Sequence, residues 1–234
     1  LPIPLRPGGT SSNNVAILSQ PHIQMLIAQL AIEQNLSKEA VENRALGILR
    51  AIGDTHNQQH IRSLAVVIRK VFKQLYTDVN VNPEAYERLR TAFNTPKTSV
   101  IMMPSHRSYI DFMILSYVLL VMGFPVPHIC SGEDFLRLGK ISDMMRGAGA
   151  FFMRRSFRTD KLYGALFKEY VRLLVRQGQC IEFFIEGMRS RSGKTIYPKL
   201  GILKMITDAY LEPQSEINDV LILPISLSYE KVLE

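Results

Sequence analysis

The chain has 234 residues, 47% of them hydrophobic, enough for one large domain or two small ones and too many for a disordered segment. Its net charge is +7, and its two cysteines, Cys130 and Cys180, exclude a disulfide framework and offer no metal-ligand spacing. No apolar run reaches the about 20 residues of a spanning helix; the longest, 112–124, is interrupted by Ser116 and reads as a buried helix.

Residues 1–14 are rich in Pro, Gly, Ser and Asn and predict a linker or tail. No basic region followed by an apolar run opens the chain, so no signal peptide is expected. The start at Leu1 and the stop just after an apolar run suggest a piece of a longer protein. Residues 15–33 have helical apolar spacing, with Pro21 as a kink or a later start. Ser37 opens a second helix that runs to Gly53. Ile61, Leu64, Val67, Ile68, Val71 and Leu75 fall on an amphipathic stripe, and Asn82-Pro83 starts a fourth helix to about Asn94.

The pattern changes at Thr95-Pro96. Short apolar runs at 99–103, 150–153, 181–185 and 220–225 read as strands. They alternate with helical patterns near 108–122, 134–146, 160–177 and 199–211. This predicts an α/β fold, a mixed, largely parallel sheet flanked by helices, over residues 96–234. A helical N-terminal region, 1–95, precedes it.

Charge is concentrated in the second part. Residues 137–204 hold 15 Lys/Arg and 5 Asp/Glu, an excess of ten that leaves the rest of the +7 chain at −3. Such a region suits an anionic partner, or is a solvated basic face.

Three motifs lie in or beside it. His106 and Asp111 are five apart, about 140° around a helix, so they meet only with His106 in the loop and Asp111 in the first helical turn. Ser108 and Asp111 resemble a capping box that allows this. Asp111 can then orient the imidazole as a general base; the alternative is a capping Asp beside an ordinary loop histidine. No Gly-x-Ser-x-Gly elbow surrounds Ser105 or Ser108, so a serine nucleophile is not expected. His22, His56, His60 and His128 lack partner spacing and read as surface or packing residues.

The second motif, Glu186-Gly187-Met188-Arg189, leaves a buried strand at its carboxyl end, where α/β sheets place ligands. Arg189, Arg191 and Lys194 can grip a phosphate, and Gly187 lets backbone approach closely. Glu186 can position a hydroxyl or brace the loop through an arginine. The spacing from Gly187 to Gly193-Lys194-Thr195 is one residue too long for a P-loop. The third motif ends a strand in Arg154-Arg155, of which one faces a given pocket.

The ordered set His106…Asp111, Gly149…Arg155, Glu186-Gly-x-Arg189 and Ile222-Leu-Pro-Ile225 resembles the four blocks of the glycerophospholipid acyltransferases, over roughly residues 99–234. The resemblance implies transfer of a fatty acyl group from acyl-CoA to the primary hydroxyl of a three-carbon phosphate, without an acyl-enzyme. Dihydroxyacetone phosphate, the acceptor of ether-lipid synthesis, is expected first, and glycerol 3-phosphate is the alternative. It implies His106 as base, Asp111 as its orienter, and Arg155 and Arg189 on the acceptor phosphate. Glu186 and Gly187 would shape that loop, and Pro224 would serve the acyl-CoA site. Arg154, Arg191 and Lys194 are further substrate-binding candidates. No metal, prosthetic group or nucleic acid is implied. A peripheral membrane setting is, on the lumenal side of the peroxisome or at a mitochondrial outer or bacterial inner membrane. Met188 departs from the family's Thr or Gly and cannot donate a hydrogen bond. A different class of reading is a non-catalytic basic module binding lipid or nucleic acid. Phe151, Phe152, Phe183 and Phe184 read as core rather than as stacking platforms.

Overall fold

Side-chain caps and prolines set the N-terminal helices. The computed structural model describes residues 10–157, 159–190, 192–212 and 217–232. Pro21 sits in the first turn of its helix, where its missing N–H costs nothing. The expected helix over 15–33 is therefore two, α1 (Thr10–Leu18) and α2 (Pro21–Glu33), bent by 67°. The expected tail over 1–14 is already helical from Thr10. Ser37 caps α3 (Lys38–Ile52) through the Ala40 N–H. Asn57 caps α4 (Gln58–Leu75), and Asn82 caps α5 (Pro83–Asn94). Among the described residues no single helix is long and apolar enough to cross a membrane.

Among the described residues five strands follow: β1 (Thr98–Pro104), β2 (His128–Gly132), β3 (Ala150–Met153), β4 (Cys180–Glu182) and β5 (Asp219–Ile225). All pair in parallel, in the order β3-β2-β4-β1-β5. The sequence pattern missed β2, a five-residue strand that ends in Ser131-Gly132 and gives way to a 3-10 turn at Glu133–Leu138. The expected strand over 181–185 pairs only through Glu182, because the chain then leaves for the Gly187 turn. The helices between strands are α6 (Asp111–Val121), α7 (Lys140–Gly147), α8 (Lys161–Arg176) and α9 (Gly201–Leu211). Gly139, with φ +55°, breaks the expected 134–146 helix, so only its second half is α-helical.

Alternate strand residues feed two layers. Ile101, Phe151 and Ile181 join a core with α1–α3, α8 and α9; Val100, Met102 and Cys180 face α5 and α6. The first three helices thus share the sheet's main core. Ile23, Ile27 and Leu49 are fully buried there, each contributing roughly 1.5–3 kcal/mol. Because the strands are parallel, all five carboxyl ends open on one edge, and that edge carries every motif above.

Candidate active site

At the end of β1 the chain turns through Ser105, whose N–H donates to the Ile225 carbonyl of β5. His106 lies in the turn and Asp111 is the first residue of α6, the local geometry that the five-residue spacing requires. His106 Nδ1 donates to Asp111 Oδ2 at 2.9 Å. Asp111 is fully buried, and the imidazole keeps 17% exposure. The same Asp111 oxygen accepts the backbone N–H groups of Arg107 (2.6 Å) and Ser108 (2.9 Å), and Tyr229 donates its hydroxyl to Oδ1. Burial pushes this carboxyl up, but the four donors outweigh it and hold its pKa below the ordinary value. With Nδ1 committed, Nε2 is the nitrogen left to accept a proton. The imidazole stacks on Phe184, ring centres 4.0 Å apart. The expected capping box is half present: Asp111 reaches back to the Ser108 N–H, while the cap position itself falls to Ile110.

The next strand, β4, delivers Glu186. Its Oε1 accepts the His106 N–H at 3.1 Å and its Oε2 the Ile196 N–H at 3.0 Å. Glu186 therefore braces both loops through backbone, not through an arginine. Ser190 N–H closes on the His106 carbonyl, and the Arg107 guanidinium on that of Gly193. Gly187, at φ +65°, lets Lys199 lie across it; a Cβ there would stand 2.7 Å from Lys199 Cδ. The Arg189 guanidinium sits 3.3 Å over the Tyr109 ring. Met188 is 54% exposed, so its bulk stands in solvent.

His106, Asp111, Glu186, Gly187 and Arg189 thus converge on two adjacent strand ends. Pro224 is exposed on the edge strand β5, opposite Met103, a place that tolerates a missing N–H. Lys194 is exposed. Arg191 lies outside the described residues. Arg154 and Arg155 end β3, three strand spacings from β1 or roughly 14 Å. Arg154 is turned to Asp160 (3.0 Å), Glu133 (3.5 Å) and the Tyr163 ring. Arg155 is 84% exposed and meets Asp134 at 2.6 Å.

Some residues escaped the sequence reading. Tyr229, 118 positions from Asp111, has no spacing rule to betray it. Phe184 is half-buried against His106 rather than core, unlike the buried Phe151, Phe152 and Phe183. His22 lies 3.2 Å from Glu169, and His56 and His128 gather at Asp54.

A buried carboxylate holding a largely covered histidine, beside cationic loops at the open edge of a parallel sheet, is an arrangement suited to activating a hydroxyl. Residues 80–228 match the family model described as Acyltransferase, and the chain belongs to that family. It is 40% identical over 232 residues to dihydroxyacetone phosphate acyltransferase of Mus musculus, covering 99% of this chain and 33% of the mouse protein. The Homo sapiens protein of that name is 40% identical over 94% of this chain and 32% of its own length. Glycerol-3-phosphate acyltransferase of Histophilus somni is 35% identical over 93% of this chain and 26% of its own. The chain thus spans about a third of the length of the first of these relatives. A solved 1-acyl-sn-glycerophosphate acyltransferase from Thermotoga maritima aligns at TM-score 0.41 and 12% identity, over 94% of this chain and 84% of that one, too loosely to bear on the site.

Proposed function

We propose that this chain is the acyl-transfer unit of an enzyme that moves a fatty acyl group from acyl-CoA to the primary hydroxyl of dihydroxyacetone phosphate. The observation that carries the reading is the His106 Nδ1–Asp111 contact at 2.9 Å, which leaves Nε2 to act as a base. Nε2 takes the hydroxyl proton as the alkoxide oxygen bonds to the thioester carbon. The C–S bond then breaks, and the imidazolium returns the proton to the departing coenzyme A thiolate. Asp111 stabilises the imidazolium in between. The similarity to proteins named for this acceptor supports the choice.

Arg189 lies in the loop that follows β4, the strand next to β1, and suits the phosphate of a three-carbon acceptor. Arg155 can join it by leaving Asp134, an exposed pair worth about 1 kcal/mol or less. Acyl-CoA is the co-substrate, and no step of this chemistry calls for a cofactor. The setting we propose is a membrane surface, peroxisomal first and mitochondrial or bacterial otherwise. Exposed Met188, Tyr197 and Leu200 beside Lys194 and Lys199 suit such a surface. Glycerol 3-phosphate is the second acceptor, supported by the 35% identity to the Histophilus somni enzyme.

The test is release of free coenzyme A from palmitoyl-CoA by the full-length protein, with each acceptor, beside His106→Ala. Release that needs both dihydroxyacetone phosphate and His106 is expected. A preference for glycerol 3-phosphate transfers the reading to the second acceptor. Transfer at full rate by His106→Ala sinks the mechanism.

A further inference from the structure

Away from the catalytic edge, three side chains meet where the connection between α3 and α4 lies on the start of β2. Asp54 and His128 are buried, and His56 nearly so, its side chain 12% exposed. Asp54 Oδ2 accepts from His128 Nδ1 at 2.5 Å and from the Tyr170 hydroxyl at 3.1 Å. Asp54 Oδ1 lies 3.5 Å from His56 Nδ1. One ligand atom from each of the three residues lies within 4.8 Å of the others.

His56 carries the argument. Its Nε2 stands 3.1 Å from the Val126 carbonyl, which only accepts, so Nε2 bears the proton. In a neutral imidazole Nδ1 is then a lone pair. That atom is buried without a hydrogen-bond partner, and it faces a carboxylate oxygen. Two acceptors so placed repel unless a positive charge lies on or between them. The backbone nonetheless holds the ring there: His56 has φ +31°, a region that residues with a Cβ rarely adopt. Gly149 makes the room, since a Cβ at that position would stand 2.8 Å from His56 Cε1.

We propose that Asp54, His56 and His128 form a structural site for a divalent cation of the zinc type, bound by one carboxylate oxygen and both Nδ1 atoms. Two imidazoles and a carboxylate suit zinc better than magnesium or calcium. Tetrahedral bonds of about 2.0–2.1 Å put ligand atoms roughly 3.3 Å apart. One ligand atom from each residue already lies within 4.8 Å of the others, so closing on an ion asks for shifts of roughly 1.5 Å or less. His128 carries its proton on Nε2 when the ion binds, and water takes the fourth position. The Val126 carbonyl already fixes the tautomer of His56, as outer hydrogen bonds do for ligating imidazoles. The ion ties the α3–α4 connection to β2 and takes no part in acyl transfer, so this inference goes beyond the proposed function.

The full chain, stripped with EDTA and dialysed, is titrated calorimetrically with Zn²⁺ at neutral pH. Co²⁺ then reports coordination through its visible absorption. Expected are one equivalent bound at micromolar affinity or tighter, a Tm that rises with Zn²⁺, and a tetrahedral Co²⁺ spectrum. His56→Gln and His128→Gln, each with an unchanged circular dichroism spectrum, should weaken binding by about 100-fold or more. No saturable uptake by the wild type, or uptake undiminished in His56→Gln, overturns the proposal. A proton rather than an ion then balances His56 against Asp54. Because turnover is never read, this failure is separate from any failure of the acyltransferase reading.

Discussion

At the scale of single residues, the site turns on how one buried carboxylate is shared. Asp111 receives His106, two backbone N–H groups and the Tyr229 hydroxyl, so removing one donor leaves the dyad present but less well held. Tyr229→Phe should lower kcat about tenfold, the cost of one charge-assisted hydrogen bond (~1.5 kcal/mol), with the acceptor KM little changed. Steady-state kinetics on the full-length protein decides it; a change in KM alone would assign Tyr229 to substrate binding instead. Glu182 shows the opposite electrostatics. It is fully buried in the central strand, neither oxygen has a hydrogen-bond partner, and burial, with Asp111 adding, pushes its pKa well above the ordinary range. Below the unfolded value of about 4.3 both states are protonated and nothing is lost. As pH rises past that value the unfolded chain releases a proton that the folded chain keeps, so stability falls. Glu182→Gln should therefore gain on the wild type progressively from about pH 5 to 8 by up to ~1.4 kcal/mol per pH unit. Denaturation midpoints that differ by a constant amount across that range would refute it. Residue types at this scale were legible where the partner is near in sequence, as with His106 and Asp111. Glu186 was legible as a site residue but not in its task, because its partners are backbone groups, one in a loop 80 positions away and one ten positions on.

At the scale of elements, caps and turns set most boundaries. Asn82 accepts the Glu84 N–H at 2.8 Å, and Asn82→Ala should cost about 1 kcal/mol of stability, read as a lower urea midpoint. Gly149 enters β3 at φ +106°, with its virtual Cβ 2.7 Å from the Pro127 carbonyl. Gly149→Ala combines a forbidden backbone with a clash, and a loss of about 2 kcal/mol or more is expected in the same assay. Unchanged stability would mean that the β2–β3 junction relaxes freely. The helices announced themselves through period and caps. β2 did not, because five residues ending in Ser-Gly carry too few apolar positions to show a period. The break at Gly139 was likewise hidden, since a glycine in a helical pattern states no φ of its own.

Over the whole molecule, the helices before residue 95 are part of the same body as the sheet. Ile17, Ile27, Val41 and Leu49 share a core with Leu166, Tyr170 and Ile181, and Arg146 donates to the carbonyls of Arg50, Ala51 and Gly53 at the end of α3. Deleting residues 1–57 should leave a chain without a cooperative thermal transition; a sharp transition in the remainder would show that the sheet holds its own core. The alternation of apolar strands and helices by itself pointed to an α/β layer with a mixed, largely parallel sheet, because crossover connections impose that rhythm; the structure decided that the described strands all pair in parallel. The five-residue spacing allowed the dyad across a loop and a first turn, but left a capping aspartate beside an ordinary loop histidine as the alternative, which the 2.9 Å contact resolves. Only the tertiary structure decided that Tyr229 completes Asp111, that Glu186 ties two loops, and that Asp54 meets His128. These partners stand 118, 80 and 74 positions apart, and sequence periodicity records which face a residue takes, not which distant residue is packed against it.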